Sequence, residues 1–237
     1  METKLKSVLR NPQLRLGFKS AVFGALLLFA HPLVFLAGGA FLYLKPIFRT
    51  FEMIGPFILL TGISLLLAKT TVGGYYFFLS GVYSAVIFYL ILGVKDLIFV
   101  RRADWHRVLN LALAYGAFLL FFYYSQEFFL AKILTLFFVT LFLLRIFSAI
   151  GGSAFGGKKR LVYWLLAFLI LEAVWAVSFL PIGFVNSAGI VALVYFTLTD
   201  LSLRYLENKL TRRKILTDAT IFVLLLLAIF AFSRWSL

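Results

Sequence analysis

Two ionisable residues lie deep inside long apolar runs of this sequence. Glu172 is near the middle of an apolar run at 161–180, and His31 lies within 21–44, a stretch of 24 residues without Lys, Arg, Asp or Glu. An ionised carboxylate at mid-depth in a membrane costs about 2.5 kcal/mol or more. Glu172 is therefore expected to be protonated or paired, and to face the protein interior.

The two residues could form a titratable couple, because an imidazole beside a carboxyl offsets the cost of burying each. His31 is ten residues from the start of its stretch, and a helical arm of that length reaches about 15 Å, half of the hydrocarbon thickness. The functional interpretation is a proton, cation or head-group site at Glu172 and His31. The structural alternatives are a protonated Glu172 hydrogen-bonded across a helix interface and a His-Pro turn with a locally satisfied imidazole.

Five other charged residues lie near the predicted cytoplasmic ends of apolar runs: Glu52, Asp96, Arg145, Asp200 and Asp218. Arg145 is inside its run, two residues before the run ends, and we expect it to pair with Asp200 or Asp218 or to extend toward the interface. Arg145, Asp200 and Asp218 are thus interpreted as ion-pairing residues at the cytoplasmic interface rather than as a reactive site.

Signatures of catalysis and of metal binding are missing. The chain has no cysteine and two histidines, which excludes thiolate chemistry and a His-rich metal centre. The motifs HExxH and GxSxG are absent from the sequence. We therefore predict no catalytic residue, no metal, no cofactor, and a protein that is not an enzyme.

The composition indicates an integral membrane protein. Of 237 residues, 63% are hydrophobic and 14% charged, with a mean hydropathy of +1.04. A soluble domain averages about 45–50% apolar and about 25% charged residues. The net charge of +14 comes from short basic clusters between apolar runs. Such clusters are typical of cytoplasmic loops, so we predict no nucleic-acid partner.

Helices must position these residues, because only helices and closed barrels satisfy their backbone hydrogen bonds in lipid. The period-2 pattern of a barrel is absent. Seven further apolar runs follow the first stretch, each close to the roughly 20 residues that a crossing helix needs. They lie at 51–68, 74–94, 108–124, 128–147, 161–180, 184–203 and 215–233. We predict an all-α polytopic transmembrane helical bundle with seven full spans.

The first stretch, 21–44, is predicted to be a re-entrant hairpin. Basic junctions at 95–107, 145–160 and 204–214 alternate with nearly neutral ones and should be cytoplasmic. If 21–44 enters and returns on one side, 20 of the 23 Lys and Arg residues are inside, against 15 if it crosses. Pro32 interrupts the helix and leaves two arms too short to span separately. The alternative is an eighth, kinked span.

The chain thus divides into a basic cytoplasmic or interfacial segment at 1–20 and a single transmembrane domain at 21–237. We expect it in a bacterial-type cytoplasmic membrane, with the basic loops cytoplasmic and the C-terminus outside.

Two functions are compatible with this organisation. Minimal loops and a Phe-rich surface favour a non-enzymatic membrane-embedded binding or assembly subunit. The alternative is a small transporter, channel or lipid-translocating protein that uses Glu172. A transporter should have a water-accessible cavity reaching Glu172, whereas a subunit should have a dry core and an apolar patch for a partner. The expected partners are the lipid bilayer and either other membrane proteins or a second copy of the chain.

Overall fold

The computed structural model describes residues 12–45, 50–70, 74–99, 102–124, 129–150, 157–206 and 210–233. Within these ranges the chain forms nine α-helices and no β-strand, which confirms the predicted all-α fold for the described residues. The helices are α1 Pro12–Phe29, α2 Pro32–Leu44, α3 Thr50–Thr70, α4 Tyr75–Lys95, α5 Arg102–Tyr123, α6 Phe129–Ile150, α7 Gly157–Val177, α8 Phe184–Leu206 and α9 Arg212–Phe232.

The predicted apolar runs coincide with helices α3 to α9. In the described part of the chain, α4, α5, α7, α8 and α9 are long and apolar enough to cross a membrane. A membrane-embedded helical protein is therefore supported, while the count of seven full spans stays a prediction.

Both termini extend beyond the described residues. The predicted N-terminal segment 1–20 lies outside them up to residue 11, and its remainder is helical because α1 begins at Pro12 and continues into the apolar stretch. The C-terminus is predicted to lie on the non-cytoplasmic side of the membrane. Its residues 234–237 are not among the described residues.

The break between α1 and α2 follows from the sequence His31-Pro32. Proline disfavours helical conformation in the residue before it, and His31 is extended at φ −60° and ψ 144°. Proline is tolerated at the first position of a helix, where its missing N–H has no partner, so α2 starts at Pro32. The His31 side chain caps α2 by accepting a hydrogen bond at Nδ1 from the Leu33 amide, at 3.4 Å.

Helices α1 and α2 pack as an antiparallel hairpin. A methyl group added at Gly38 would lie 2.8 Å from Leu26 Cδ1, and one added at Gly39 would lie 3.0 Å from Phe23 Cε2. Further from the turn, the ammonium of Lys19 donates to a carbonyl at the end of α2. Later residues of α2 therefore contact earlier residues of α1, as expected for antiparallel helices. Two short arms were predicted here; α2 has 13 residues, but α1 has 18 because it begins at Pro12, before the apolar stretch. The relation of the two helices to the membrane stays a prediction.

The chain divides into two compact units, Met1–Leu113 and Ala114–Leu237. The single transmembrane domain predicted at 21–237 includes parts of both units and stays a prediction.

Aromatic side chains connect the helices of the first unit. Phe23 of α1 stacks on Phe88 of α4 at 4.1 Å between ring centroids and contacts Phe35 of α2 at 4.9 Å. Phe57 of α3 lies 6.1 Å from Phe88 and stacks on Tyr43 of α2 at 4.3 Å. Each such ring pair adds about 0.5–1.5 kcal/mol beyond the area it buries. This series of rings therefore fixes the four helices against one another.

The second unit packs its helices in chain order. Helix α7 lies between α6 and α8, and α9 packs on α8. Phe118, in the part of α5 that belongs to this unit, contacts Tyr195 of α8 at 6.0 Å, and both side chains are buried. Helix α9 is peripheral, because none of its described residues is buried.

Candidate functional site

Helix α7 has one packed side and one exposed apolar side. The packed side consists of buried residues at helical spacing: Tyr163, Leu166, Ala167, Ile170, Val174 and Val177. On the opposite side, Leu165, Phe168 and Trp175 are 54%, 53% and 56% exposed. Glu172 belongs to this second row, four residues after Phe168 and three before Trp175, and its side chain is exposed.

This position differs from the sequence-based expectation that Glu172 faces the interior. The interior side of α7 is already filled by branched and aromatic residues, so the carboxyl points away from its own unit. Glu172 makes no hydrogen bond or ion pair with any residue that the structure describes. It is also displaced from mid-helix, because α7 ends at Val177. At 1.5 Å per residue, the carboxyl-bearing position lies about 7–8 Å from that end.

His31, the other half of the predicted couple, is exposed at the turn between α1 and α2. Its Nδ1 is occupied by the capping hydrogen bond from Leu33. His31 belongs to the first compact unit and Glu172 to the second, so their coupling stays a prediction.

The predicted interfacial carboxylates have partners one helical turn away. Asp200 Oδ2 is 2.6 Å from Arg204 Nε, and Asp218 Oδ1 is 3.5 Å from Lys214 Nζ. Residues spaced by four are neighbours on a helix surface, which favours these local pairs. Arg145 is exposed on α6 and borders an open groove of the same helix. Its pairing with Asp200 or Asp218 stays a prediction.

A further polar site lies in the first unit and was not predicted. Lys95, the last residue of α4, is fully buried. Its ammonium donates to the Tyr43 carbonyl and lies 4.7 Å from the centroid of the Tyr43 ring and 3.9 Å from Asp96 Oδ1. Lys19 of α1 donates in the same way to the carbonyl of Lys45. Two cations therefore bind carbonyls at the C-terminal end of α2, one from Tyr43 in its last turn and one from Lys45, the residue after the helix. Carbonyls in the last turn lack partners within the helix and carry the negative end of its dipole.

Asp96 is held at this site by the turn that ends α4. The next residue, Leu97, has φ 59°, a left-handed conformation that costs a branched side chain roughly 1 kcal/mol or more. The Ile98 amide donates to the Gly93 carbonyl at 3.1 Å and closes the turn. Asp96 Oδ1 is buried and accepts no hydrogen bond within the described residues.

Burial raises the pKa of the Asp96 carboxyl above its ordinary value, although the positive charges of Lys95, Lys19 and Arg15 oppose that shift. Lys45 adjoins these cations through its carbonyl, which accepts from Lys19, while its ammonium lies 4.4 Å from the centroid of the Phe41 ring. We call Arg15, Lys19, Lys45 and Lys95 the basic cluster, with Asp96 beside the first two and Lys95.

The sequence held only a partial signal for the basic cluster. Lys19, Lys45 and Lys95 each border an apolar run, which predicts an interfacial position for each of them separately. Their convergence depends on α1 and α2 folding back on one another, and spacing along the chain does not report that.

Comparisons with protein families, curated proteins and solved structures find no match to this chain. The class that the structure supports is a membrane-embedded helical protein, on the basis of the five long apolar helices in its described part.

Proposed function

We propose that this protein is a non-enzymatic, membrane-embedded binding or assembly subunit. One observation carries the proposal: Glu172 is an exposed carboxyl in the middle of a row of exposed apolar side chains on α7. The apolar row is suited to lipid or to another helix, but the carboxyl is suited only to a partner that can hydrogen-bond it.

The energy of the Glu172 carboxyl in a membrane depends on what surrounds this row of side chains. Lipid tails offer no hydrogen-bond partner, so a carboxyl facing them is unfavourable in either protonation state. Polar side chains between membrane helices contribute about 1–2 kcal/mol when they are hydrogen-bonded. A second helix with a donor opposite Glu172 would supply that bond, while Phe168 and Trp175 would supply packing area.

The proposed subunit has α1 and α2 as a re-entrant hairpin that enters and leaves on the cytoplasmic side. The antiparallel packing of α1 on α2 supports this, because Lys19 and Lys45 lie together at the open end of the hairpin. The distribution of Lys and Arg supports it as well, since the hairpin keeps most of the basic residues on one side.

Site-specific photo-crosslinking in native membranes tests the proposed function. A photoreactive residue at Phe168 should give a discrete adduct with one membrane protein or with a second copy of the chain. The same residue at Leu224, which is exposed on α9, serves as the matched control and should give lipid adducts alone. Glu172→Leu should remove the Phe168 adduct, whereas Glu172→Gln, which keeps a hydrogen-bonding group, should retain it.

Two results would contradict the proposal. One is a Phe168 probe that reacts with lipid only; the other is an adduct that is equally strong with Glu172→Leu. Ion- or pH-dependent flux through the purified chain in liposomes, lost in Glu172→Gln, would instead favour the transporter hypothesis.

A further inference from the structure

We infer that the end of the first unit where α1, α2 and α4 meet binds the phosphate group of an anionic phospholipid through Arg15, Lys19 and Lys45 of the basic cluster. This inference concerns a site distinct from Glu172 and holds whether or not the α7 face binds a partner. It requires only that the chain is embedded in a membrane.

The cluster carries more positive charge than Asp96 offsets. Three cations, Lys95, Lys19 and Arg15, act on this carboxylate. Lys45 adds a fourth positive charge beside Lys19, and its ammonium lies 4.4 Å from the centroid of the Phe41 ring. Lys95 is fully buried and is committed to the Tyr43 carbonyl. The other cations are partly or fully exposed, so an external anion can reach them.

The cations of the cluster also have N–H donors left for an anion. A lysine ammonium has three N–H donors and an arginine guanidinium has five. Lys19 directs a hydrogen bond to the Lys45 carbonyl, which leaves donors for a phosphate oxygen. Arg15 is one turn before Lys19 on the same side of α1, since residues four apart are neighbours on a helix surface. Hydrogen bonds from cations to phosphate are among the stronger ones in proteins.

The apolar surroundings of the cluster favour a lipid over a free phosphate ion. Four large apolar side chains beside the cluster are exposed, namely Leu14, Phe18, Phe41 and Leu44. They alternate with Arg15, Lys19 and Lys45 along α1 and at the end of α2. Inorganic phosphate makes no favourable contact with these apolar side chains, whereas the acyl chains of a phospholipid can pack against them. Basic residues at such an interface also attract anionic lipids by about 1 kcal/mol each.

Native mass spectrometry of the full chain in neutral detergent tests the site. The chain is titrated with an equimolar mixture of phosphatidylglycerol and phosphatidylcholine of identical acyl chains. Phosphatidylglycerol should bind preferentially, and Arg15→Gln with Lys19→Gln should weaken its binding about tenfold or more. The matched control is Lys159→Gln with Arg160→Gln, which removes the same charge at the start of α7 and should leave the preference unchanged.

A charge-conserving variant separates binding from folding. Arg15→Lys with Lys19→Arg should retain phosphatidylglycerol, so a loss restricted to the glutamine variant is a loss of charge. Equal binding of the two lipids, unchanged binding in the glutamine variant, or the same loss in the control would each overturn the inference. Displacement of phosphatidylglycerol by millimolar inorganic phosphate would assign the site to the free ion instead.

Discussion

The ammonium of Lys19 donates a hydrogen bond to the main-chain carbonyl of Lys45, across 26 residues of sequence. This contact joins the start of the apolar stretch to its end and closes the hairpin of α1 and α2. Lys95 donates in the same way to the Tyr43 carbonyl, near the end of α2. These two contacts hold the open end of the hairpin together, and the side of the membrane on which that end lies stays a prediction.

Sidedness of the chain can be measured directly, because it has no natural cysteine. Cysteines introduced one at a time should react with an impermeant thiol reagent from one side only. Those replacing Lys6, Arg102, Lys159 and Arg213 should be labelled from the cytoplasmic side, and one replacing Lys69 from the outside. If the Lys6 replacement is labelled from outside, 21–44 crosses the membrane and the re-entrant prediction is wrong.

Close packing of α1 on α4 predicts opposite effects for two glycines of the same helix. A methyl group at Gly24 would lie 2.9 Å from both Ala85 Cβ and the Gly81 carbonyl oxygen, whereas one at Gly17 meets nothing within 4 Å. Gly24→Ala should lower the free energy of unfolding by about 1–3 kcal/mol, because overpacking moves backbone. Gly17→Ala should be neutral or raise it by up to about 1 kcal/mol through helix propensity.

Thermal or denaturant unfolding in detergent compares these two variants. A Gly24→Ala protein as stable as the Gly17→Ala control would show that α1 and α4 are farther apart than described here.

The raised pKa of Asp96 predicts a particular pH dependence of stability. The folded state holds the carboxyl proton more tightly than the unfolded state does, so this group's contribution to stability declines as pH rises above the ordinary carboxyl pKa. Asp96→Asn removes that dependence. The melting temperature of the variant relative to wild type should therefore rise between about pH 4 and pH 7.

Asp104→Asn on α5, where the side chain is exposed, is the matched control for Asp96→Asn. A pH-dependent gain of the same size in both variants, or a loss with rising pH in Asp96→Asn, would contradict the assignment to Asp96.

The proposed couple of Glu172 and His31 predicts a coupling energy in a double-mutant cycle. If the two side chains interact, Glu172→Ala and His31→Ala should each destabilise the protein, and the double variant should differ from their sum by about 0.5–3 kcal/mol. Additive effects would mean that the residues do not touch. Glu172 then belongs to the α7 face alone, and Glu172→Leu should weaken partner binding without lowering the stability of the isolated chain.

The helices themselves were predictable from sequence. Apolar runs such as 184–203 and 215–233 coincide with α8 and α9, because in a membrane the length and hydrophobicity of a segment already specify a helix. The break at His31-Pro32 was equally readable, since the proline ring fixes the local backbone. The same local pattern predicts interfacial positions for Lys19, Lys45 and Lys95, which stay predictions.

What only the tertiary structure decided is which side of a helix each residue occupies and which helix ends meet. Within 161–177, Glu172 is the one charged residue among apolar and aromatic ones, so no periodicity indicates whether that carboxyl faces the protein or its surroundings. The packing of Ile170 and Val174 into the second unit places Glu172 on the exposed side. The basic cluster likewise required the return of α2 along α1, because contacts between distant residues depend on packing that local hydrophobicity does not encode.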